Sequence, residues 1–342
     1  MLSQRVQDHL QLCSAYQPKL SLRETEVAIK KLKDYFERAL AEELNLTRVS
    51  APLFVQPESG LNDNLNGTER PVGFSVAAMD HSRCEIVHSL AKWKRLALKR
   101  YGFAPGEGLY TDMNAIRRDE ELDHLHSLYV DQWDWERIIQ HGERTPATLR
   151  AVVDGIYRCF TRTAKYIMSQ YSCLECMLPA EITFVTAQEL EDRYPNLSPK
   201  EREDAIAAEK KAVFLMGIGG RMRSGQRHDG RAPDYDDWNL NGDILFWYPA
   251  LQQAVEVSSM GIRVDERALW EQLQLANCEN RAELPFHKAL LNGELPYTVG
   301  GGIGQSRLCM FFLEKVHIGE VQASVWPSEM VQACEAQHIE LL

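Results

Sequence analysis

Ser127-Leu-Tyr-Val-Asp-Gln-Trp-Asp-Trp-Glu136 alternates in character along its length, which is the two-residue period of a β-strand. That period places Gln132, Asp134 and Glu136 on one face and Asp131, Trp133 and Trp135 on the other. Leu109 to Arg117 alternates in the same manner, and the charged stretch Arg118 to His126 separates the two runs. Together they read as two long antiparallel strands joined by a loop. Arg117 closes the first strand, opposite Gln132 and Asp134 on the second.

Outward from this hairpin the pattern is mixed. Ser21 and Glu24 have the spacing of a capping box, and Ile29, Leu32, Phe36, Leu40 and Leu44 recur in steps of three and four, so an amphipathic helix runs to about Leu44. Leu46 to Val55, around Pro52, is β-prone, with the proline expected at an edge or bulge. From Glu85 the chain passes into a helix ending near Gly102. Residues 145–211 are mostly helical in pattern, broken by a strand-like Glu181 to Thr186 and a second start at Ser198-Pro199. Strands follow at Ala212 to Ile218, Asp243 to Trp247 and Ala254 to Ser258. The glycine-rich Gly300 to Gly304 is expected to be a turn that opens a helix from about Gln305 to Leu313. Helices mixed with mainly antiparallel strands, without repeats or a low-complexity linker, give one α+β domain. Its expected limits are 22–342, with a helical insertion at about 140–211 and a possible N-terminal arm at 1–21.

Composition bounds the function. A chain of 342 residues, 44% hydrophobic, can bury a sizeable core. No apolar run approaches the roughly 20 residues that span a bilayer, and Met-Leu-Ser-Gln-Arg lacks a signal peptide's apolar stretch, so a cytoplasmic protein is expected. Cysteines 13, 84, 159, 173, 176, 278, 309 and 334 are scattered, as reduced thiols are. Cys173-x-x-Cys176 lacks the second pair or nearby histidines of a zinc site. A net charge of −11 argues against neutralising a long nucleic acid.

Three constellations carry chemistry. Arg117 on a stiff strand suits an α-phosphate, because a guanidinium fork matches two phosphate oxygens; a salt-bridged surface hairpin fits the same residues. Asp243 and Glu256 sit among apolar neighbours, where carboxylates need a cation or donor. Magnesium on ATP phosphates would fill that need, and a structural ion pair is the alternative. Gly300-Gly-Gly-Ile-Gly-Gln-Ser-Arg307 lets backbone approach a ligand closely, although it matches neither a dinucleotide fingerprint nor a Walker loop. Gly217-Ile-Gly-Gly220 reads as a simple turn.

In chain order these pieces resemble the three motifs of class II aminoacyl-tRNA synthetases. Ser50-Ala-Pro-Leu53 corresponds to motif one, Ile116-Arg-Arg-Asp-Glu120 with Asp131-Gln-Trp-Asp-Trp-Glu136 to motif two, and Gly302-Ile-Gly-Gln-Ser-Arg-Leu308 to motif three. Gln132-x-Asp134-x-Glu136, Asn241-Gly-Asp243 and Glu256-Val-Ser-Ser-Met-Gly-Ile-Arg263 point to the aspartyl branch. Val87-His-Ser-Leu-Ala-Lys-Trp-Lys-Arg95, Gly106-Glu-Gly-Leu-Tyr110, Tyr129 to Arg137, Arg231-Ala-Pro-Asp-Tyr-Asp-Asp-Trp238 and Gly300 to Leu308 resemble the asparagine synthetase A family of ammonia-dependent aspartate ligases, over about residues 22–327. The link from Trp238 to Asn241, read as a loop, is shorter than in the bacterial members of that family.

The resemblance implies ATP-dependent conversion of L-aspartate and ammonia to L-asparagine through a β-aspartyl-adenylate, with release of AMP and pyrophosphate. Carried over by motif, Arg117 holds the α-phosphate and Arg307 the γ-phosphate, beside backbone at Gly302 and Gly304, and Asp243 with Glu256 holds Mg2+. Lys94 and Arg263 take the unreactive carboxylate; Ser89, Gln132, Asp134 and Ser259 line the aspartate site. Asp63 and Asp236 are the candidate acceptors of the ammonium proton, although Asn62-Asp-Asn64 fits a turn and Asp236 a plain loop acid. A homodimer built on Leu46 to Phe54 is implied. Leu2, where a glutamine-using enzyme would carry a nucleophilic cysteine, favours free ammonia as donor. The rivals are an aminoacylating synthetase, against which no anticodon-binding segment precedes the motifs, and a non-catalytic paralog, which need not keep Arg117, Asp243, Glu256 and Arg307 together.

Overall fold

The structure, a computed structural model, describes residues 16–63, 69–175 and 178–342. Most of the expected arm, Cys13, Asn64 and Cys176 lie outside the described residues. The described cysteines are free thiols.

The long hairpin is the centre of the molecule. β5 (Gly108–Ile116) and β6 (Tyr129–Ile138) pair antiparallel with Met113 opposite Gln132 and Thr111 opposite Asp134. Around them lies an eight-stranded sheet in the order β1-β5-β6-β11-β10-β9-β8-β7. Its other strands are β1 (Leu46–Arg48), β7 (Thr183–Thr186), β8 (Ala212–Met216), β9 (Asp236–Tyr248), β10 (Gln253–Arg263) and β11 (Thr298–Gly304). Only the edge pairs β1/β5 and β7/β8 are parallel; the inner pairs are antiparallel.

The period of two along β6 separates core from site. Trp133 and Trp135 are both fully buried on one face, where truncating such a side chain costs about 3–5 kcal/mol. α1 (Leu22–Leu44) covers that face. Its Ser21 capping box is formed, and Leu32, Phe36 and Leu40, spaced at one helical turn, are buried to 0% exposure. The Phe36 ring lies 4.9 Å from that of Trp133 and 5.1 Å from that of Phe160. Phe160 belongs to α3 (Pro146–Gln170), which starts at Thr145 with proline in its first turn, where the missing N–H is not needed. The opposite face of β6 receives α2 (Ala91–Tyr101), ended by Gly102 at φ 72°.

Four expectations change. Leu46 to Val55 is not one strand: β1 ends at Arg48, and β2 (Phe54–Val55) joins a separate small sheet with β4 (Ser82–Ile86) and β3 (Gly73–Val76). Pro52, lacking an N–H, lies between the two. The segment 238–241 is no loop, because β9 begins at Asp236, and β10 extends to Arg263 with irregular pairing after Glu256 and Gly261. In 145–211 the expected helices and strand form, including α4 (Ala187–Arg193) and α5 (Pro199–Lys210), and what changes is that β7 pairs with β8 as part of the main sheet.

The fourth change is the glycine run. After α6 (Glu266–Leu275) and α7 (Pro285–Leu291), Gly300 to Gly304 is an inner strand, β11, between β6 and β10, and α8 (Gln305–Phe312) follows directly. The glycines are required by what stands over the strand: a Cβ on Gly300 would fall 2.0 Å from Glu136 Oε2, and one on Gly302 2.4 Å from Gln132 Oε1. Removing side chains from this strand leaves room for polar groups projecting from its neighbours.

Candidate active site

Above β6, β11 and β10 lies a cavity of about 480 Å3. It is lined by Asp63, Ser89, Lys94, Arg117, Gln132, Asp134, Asp236, Glu256, Ser259, Arg263, Gly302, Gly304 and Arg307, all candidates from the sequence. Asp243 does not line it. Asp243 sits on β9 opposite Ser259 of β10, 5% exposed, behind an ion pair with Arg231.

The floor of one end is a charged network out of water. Lys94, 1% exposed, donates to the carbonyls of Trp135 and Gly301, both at 3.0 Å, and approaches Asp134 at 3.4 Å and Glu136 at 3.7 Å. Burial pushes the ammonium of Lys94 below its ordinary range, against the pull of both carboxylates. Glu136, fully buried, accepts from Arg263 Nη2 at 2.7 Å and Nε at 2.9 Å and from the Thr298 hydroxyl at 2.7 Å. Burial raises its carboxyl, but Arg263, Lys94 and Thr298 outweigh it and hold Glu136 below the usual range. Arg263 also donates to Asp236 Oδ1 at 2.5 Å, yet burial still leaves the Asp236 carboxyl raised. Buried charges of this kind persist only when paired and hydrogen-bonded.

The segment 231–236 closes over this floor. Tyr235 donates to Asp63 Oδ2 at 3.0 Å, and Arg263 stacks on its ring at 5.6 Å. Beneath, Asp234 accepts from Arg281 at 3.0 Å and Lys92 at 3.4 Å; burial raises its carboxyl, but His287, Lys92 and Arg281 together hold it well down. Asn62 fixes the approach to Asp63, its side-chain oxygen accepting from the backbone N–H of Asp63 and of His88.

The opposite end is rich in loosely held cations. Arg117 follows β5, and its N–H donates to the Leu128 carbonyl to close the 117–128 loop. Its guanidinium has Glu120 at 3.8 Å, while its buried Nε lacks a hydrogen bond among the described residues. Arg307, on the first turn of α8, donates to the Glu256 carbonyl at 3.1 Å and faces the Glu256 carboxylate at 3.8 Å. α8 is tied to β6 by Asp131, which accepts from the Ser306 N–H at 3.1 Å and from Lys33 at 2.9 Å.

Asp243 and Glu256 suit a divalent cation in part. Both carboxylates lie on adjacent strands near the arginines, and Asp243 Oδ1 is buried without a well-formed hydrogen bond among the described residues. Burial, offset in part by Arg231, pushes the Asp243 carboxyl up, and Glu256 adds to the rise. Arg231, Tyr235 and Asp234, each in a quoted segment, and Glu136, named on its strand face and in its motif, carry no site role in the sequence reading. The hydrogen-bond partners that hold them, Asp243, Arg263, Asp63 and Arg281, stand 12 to 172 positions away, so no local spacing marks them.

This sheet, with its arginines at one end and buried acid–base network at the other, defines a class II synthetase-like catalytic domain. Solved structures agree on the fold. The asparaginyl-tRNA synthetase of Pyrococcus horikoshii complexed with asparaginyl-adenylate superposes with TM-score 0.65 at 15% identity, covering 89% of this chain and 70% of that one. The aspartyl-tRNA synthetase of Entamoeba histolytica gives 0.59 at 15%, covering 88% and 59%. A family model described as aspartate-ammonia ligase matches residues 23–338. A protein named aspartate–ammonia ligase from Ruminiclostridium cellulolyticum is 66% identical over 327 residues, 96% of this chain and 97% of its own length. One of that name from Fusobacterium nucleatum is 62% identical over 328 residues, covering 96% and 100%. The chain belongs to the aspartate–ammonia ligase family.

Proposed function

We propose that the protein makes L-asparagine from L-aspartate, ammonia and ATP through a β-aspartyl-adenylate, releasing AMP and pyrophosphate. The observation that carries this reading is the single cavity with a preorganised amino-acid floor at one end and the arginines Arg117 and Arg307 at the other.

A carboxylate is a poor acyl donor, being anionic and without a leaving group. Its β-oxygen attacks the α-phosphorus of ATP, and the bond to the bridging oxygen breaks as pyrophosphate leaves. Arg117 stabilises charge on the α-phosphate oxygens, Arg307 holds the γ-phosphate, and backbone at Gly302 and Gly304 lets the nucleotide approach. Asp243 and Glu256 would hold Mg2+, which supplies charge neutralisation on the phosphates. Lys94 and Arg263 neutralise the α-carboxylate, and Ser89, Gln132, Asp134 and Ser259 orient the rest of the amino acid. Ammonium then yields a proton to Asp63 or Asp236, and the freed lone pair attacks the β-carbonyl, expelling AMP. Free ammonia is the donor.

Residues 22–342 act as one catalytic domain in a cytoplasmic homodimer. Leu53 at 50% and Phe54 at 46% exposure, with Phe74 packed edge-on against Phe54, give the dimer an apolar contact. No described helix is long and apolar enough to cross a membrane.

Pyrophosphate release is the test: it is expected to need aspartate and ATP together and to yield asparagine from ammonium salts alone. Aspartate-dependent AMP release that requires added tRNA would overturn the ligase reading in favour of aminoacylation. Asparagine formed from glutamine with ammonia scavenged would sink the free-ammonia donor.

A further inference from the structure

Tyr235 ties the segment over the cavity to Asp63, and this segment is gripped from behind by groups that do not line the cavity. Gln272, on α6 and 4% exposed, directs its whole amide at the segment's backbone. Its Nε2 donates to the carbonyls of Pro233 at 3.0 Å and Asp236 at 2.9 Å, and its Oε1 accepts from the Trp238 N–H at 2.9 Å. Asp234 adds a second anchor on the same side, held by Lys92 and Arg281.

A buried amide whose two donors and acceptor are all matched would lose hydrogen bonds if the segment shifted, and each group left unmatched out of water carries its full desolvation cost. The segment is thereby given one position. Asp236, at its far end, is fixed twice more, by strand pairing with Arg263 and by the ion pair with that side chain. Tyr235 precedes β9, and the backbone contact of its own is the Val264 N–H on its carbonyl at 2.8 Å, so its place depends more on Gln272. Burial, with Asp63 and Asp236 nearby, raises the Tyr235 phenol well above its ordinary range, which keeps it a hydrogen-bond donor to Asp63.

We infer that Gln272 is a positioning residue for amidation: through the backbone of residues 233–238 it holds the Tyr235 hydroxyl on Asp63 Oδ2, and that hydrogen bond orients the carboxylate that takes the ammonium proton. In this step the proton passes to Asp63, the nitrogen lone pair forms the C–N bond, and the C–O bond to AMP breaks. A carboxylate turned away slows it. Adenylation, which needs no proton acceptor, continues.

The inference rests on the reading of Asp63 as proton acceptor. The full chain is assayed for aspartate-dependent exchange of pyrophosphate into ATP without ammonium, and for product formation with ammonium or with hydroxylamine, a nucleophile largely unprotonated near neutral pH. In Gln272→Ala, asparagine formation is expected to fall about tenfold or more, the worth of one charge-assisted hydrogen bond, while exchange and hydroxamate formation stay within about twofold. Tyr235→Phe is expected to lose asparagine formation to the same extent, and the double variant no more than either, because both act on one contact. Asp234→Asn, which keeps the shape of the side chain, is expected to show a smaller loss of the same pattern, and it serves if Gln272→Ala fails to fold. Exchange, asparagine and hydroxamate formation falling together, or losses that add in the double variant, overturn the positioning role and leave that of Asp63 standing. Undiminished asparagine formation from ammonium in Asp63→Asn overturns both.

Discussion

The two ends of the cavity are built on opposite principles. At the amino-acid end Lys94, Asp134, Glu136, Arg263 and Asp236 partner one another below 5% exposure. At the phosphate end Arg117 and Arg307 keep 28% and 23% of their side chains exposed, and their nearest carboxylates stand at 3.8 Å. The difference follows from what each end receives. A zwitterionic amino acid brings little net charge, so charges buried to recognise it must already be balanced by protein. A triphosphate brings several negative charges of its own, and cations that were fully paired beforehand would first have to be unpaired. Preorganisation at one end and readiness at the other are two solutions to the same desolvation problem.

The comparison breaks most easily at the buried end. Replacing Glu136 by Gln removes one of the two carboxylates paired with Arg263, which is 3% exposed, and leaves Asp236 as the other; loss of one partner of a buried pair costs up to about 3–5 kcal/mol of stability. Chemical denaturation is expected to show this near neutral pH. The acid side sharpens it: the folded carboxyl of Glu136 lies below its unfolded value, so its contribution is complete above about pH 4.3 and disappears as pH falls through the lower, folded value. Wild type and variant should therefore converge in strong acid. A variant as stable as wild type at neutral pH would mean that the network is a ligand site rather than a structural one.

At the phosphate end a substitution should affect rate before stability. Arg117→Lys keeps the charge and loses the two-pronged fork, so kcat is expected to fall roughly 10²-fold, as when one oxyanion donor is removed, with a smaller change in the KM for ATP and an unchanged melting curve. A raised KM with kcat intact would reduce Arg117 to a binding residue and remove the α-phosphate from this hairpin.

The smallest effect is expected on the floor between them. Gly302→Ala adds a methyl 2.4 Å from Gln132 Oε1 and 2.8 Å from Asp134 Oδ1. Overpacking of this sort costs about 1–3 kcal/mol, and because the crowded groups face the amino acid while only the backbone of Gly302 faces the nucleotide, the KM for aspartate should rise more than that for ATP. Equal rises in both would show that β11 serves the two ends alike.

How much of this was legible beforehand depends on the range of the interaction involved. The Ser21 cap, the heptad-like face of α1 and the alternation of β6 are local, and they appear in the structure where spacing put them. Resemblance to known motifs supplied residues that, Asp243 apart, share one cavity. The glycine run misled, because a string of glycines reads as a turn when nothing in sequence reveals that Gln132 and Glu136 will stand over it. Likewise Pro52 marked a break in pairing, but not that the halves would join different sheets.

By itself the sequence determined the α+β class, the hairpin, the placing of Trp133 and Trp135 on the strand face opposite Gln132 and Asp134, and the family. These rest on periodicity and on strings of adjacent residues. Only the tertiary structure decided the pairing of Arg263 with Glu136 and Asp236, the contact of Tyr235 with Asp63, and the cover of Arg231 on Asp243. The reason is physical: which charge neutralises which, once water is removed, is settled by distance across strands and loops, and separation along the chain carries no record of it.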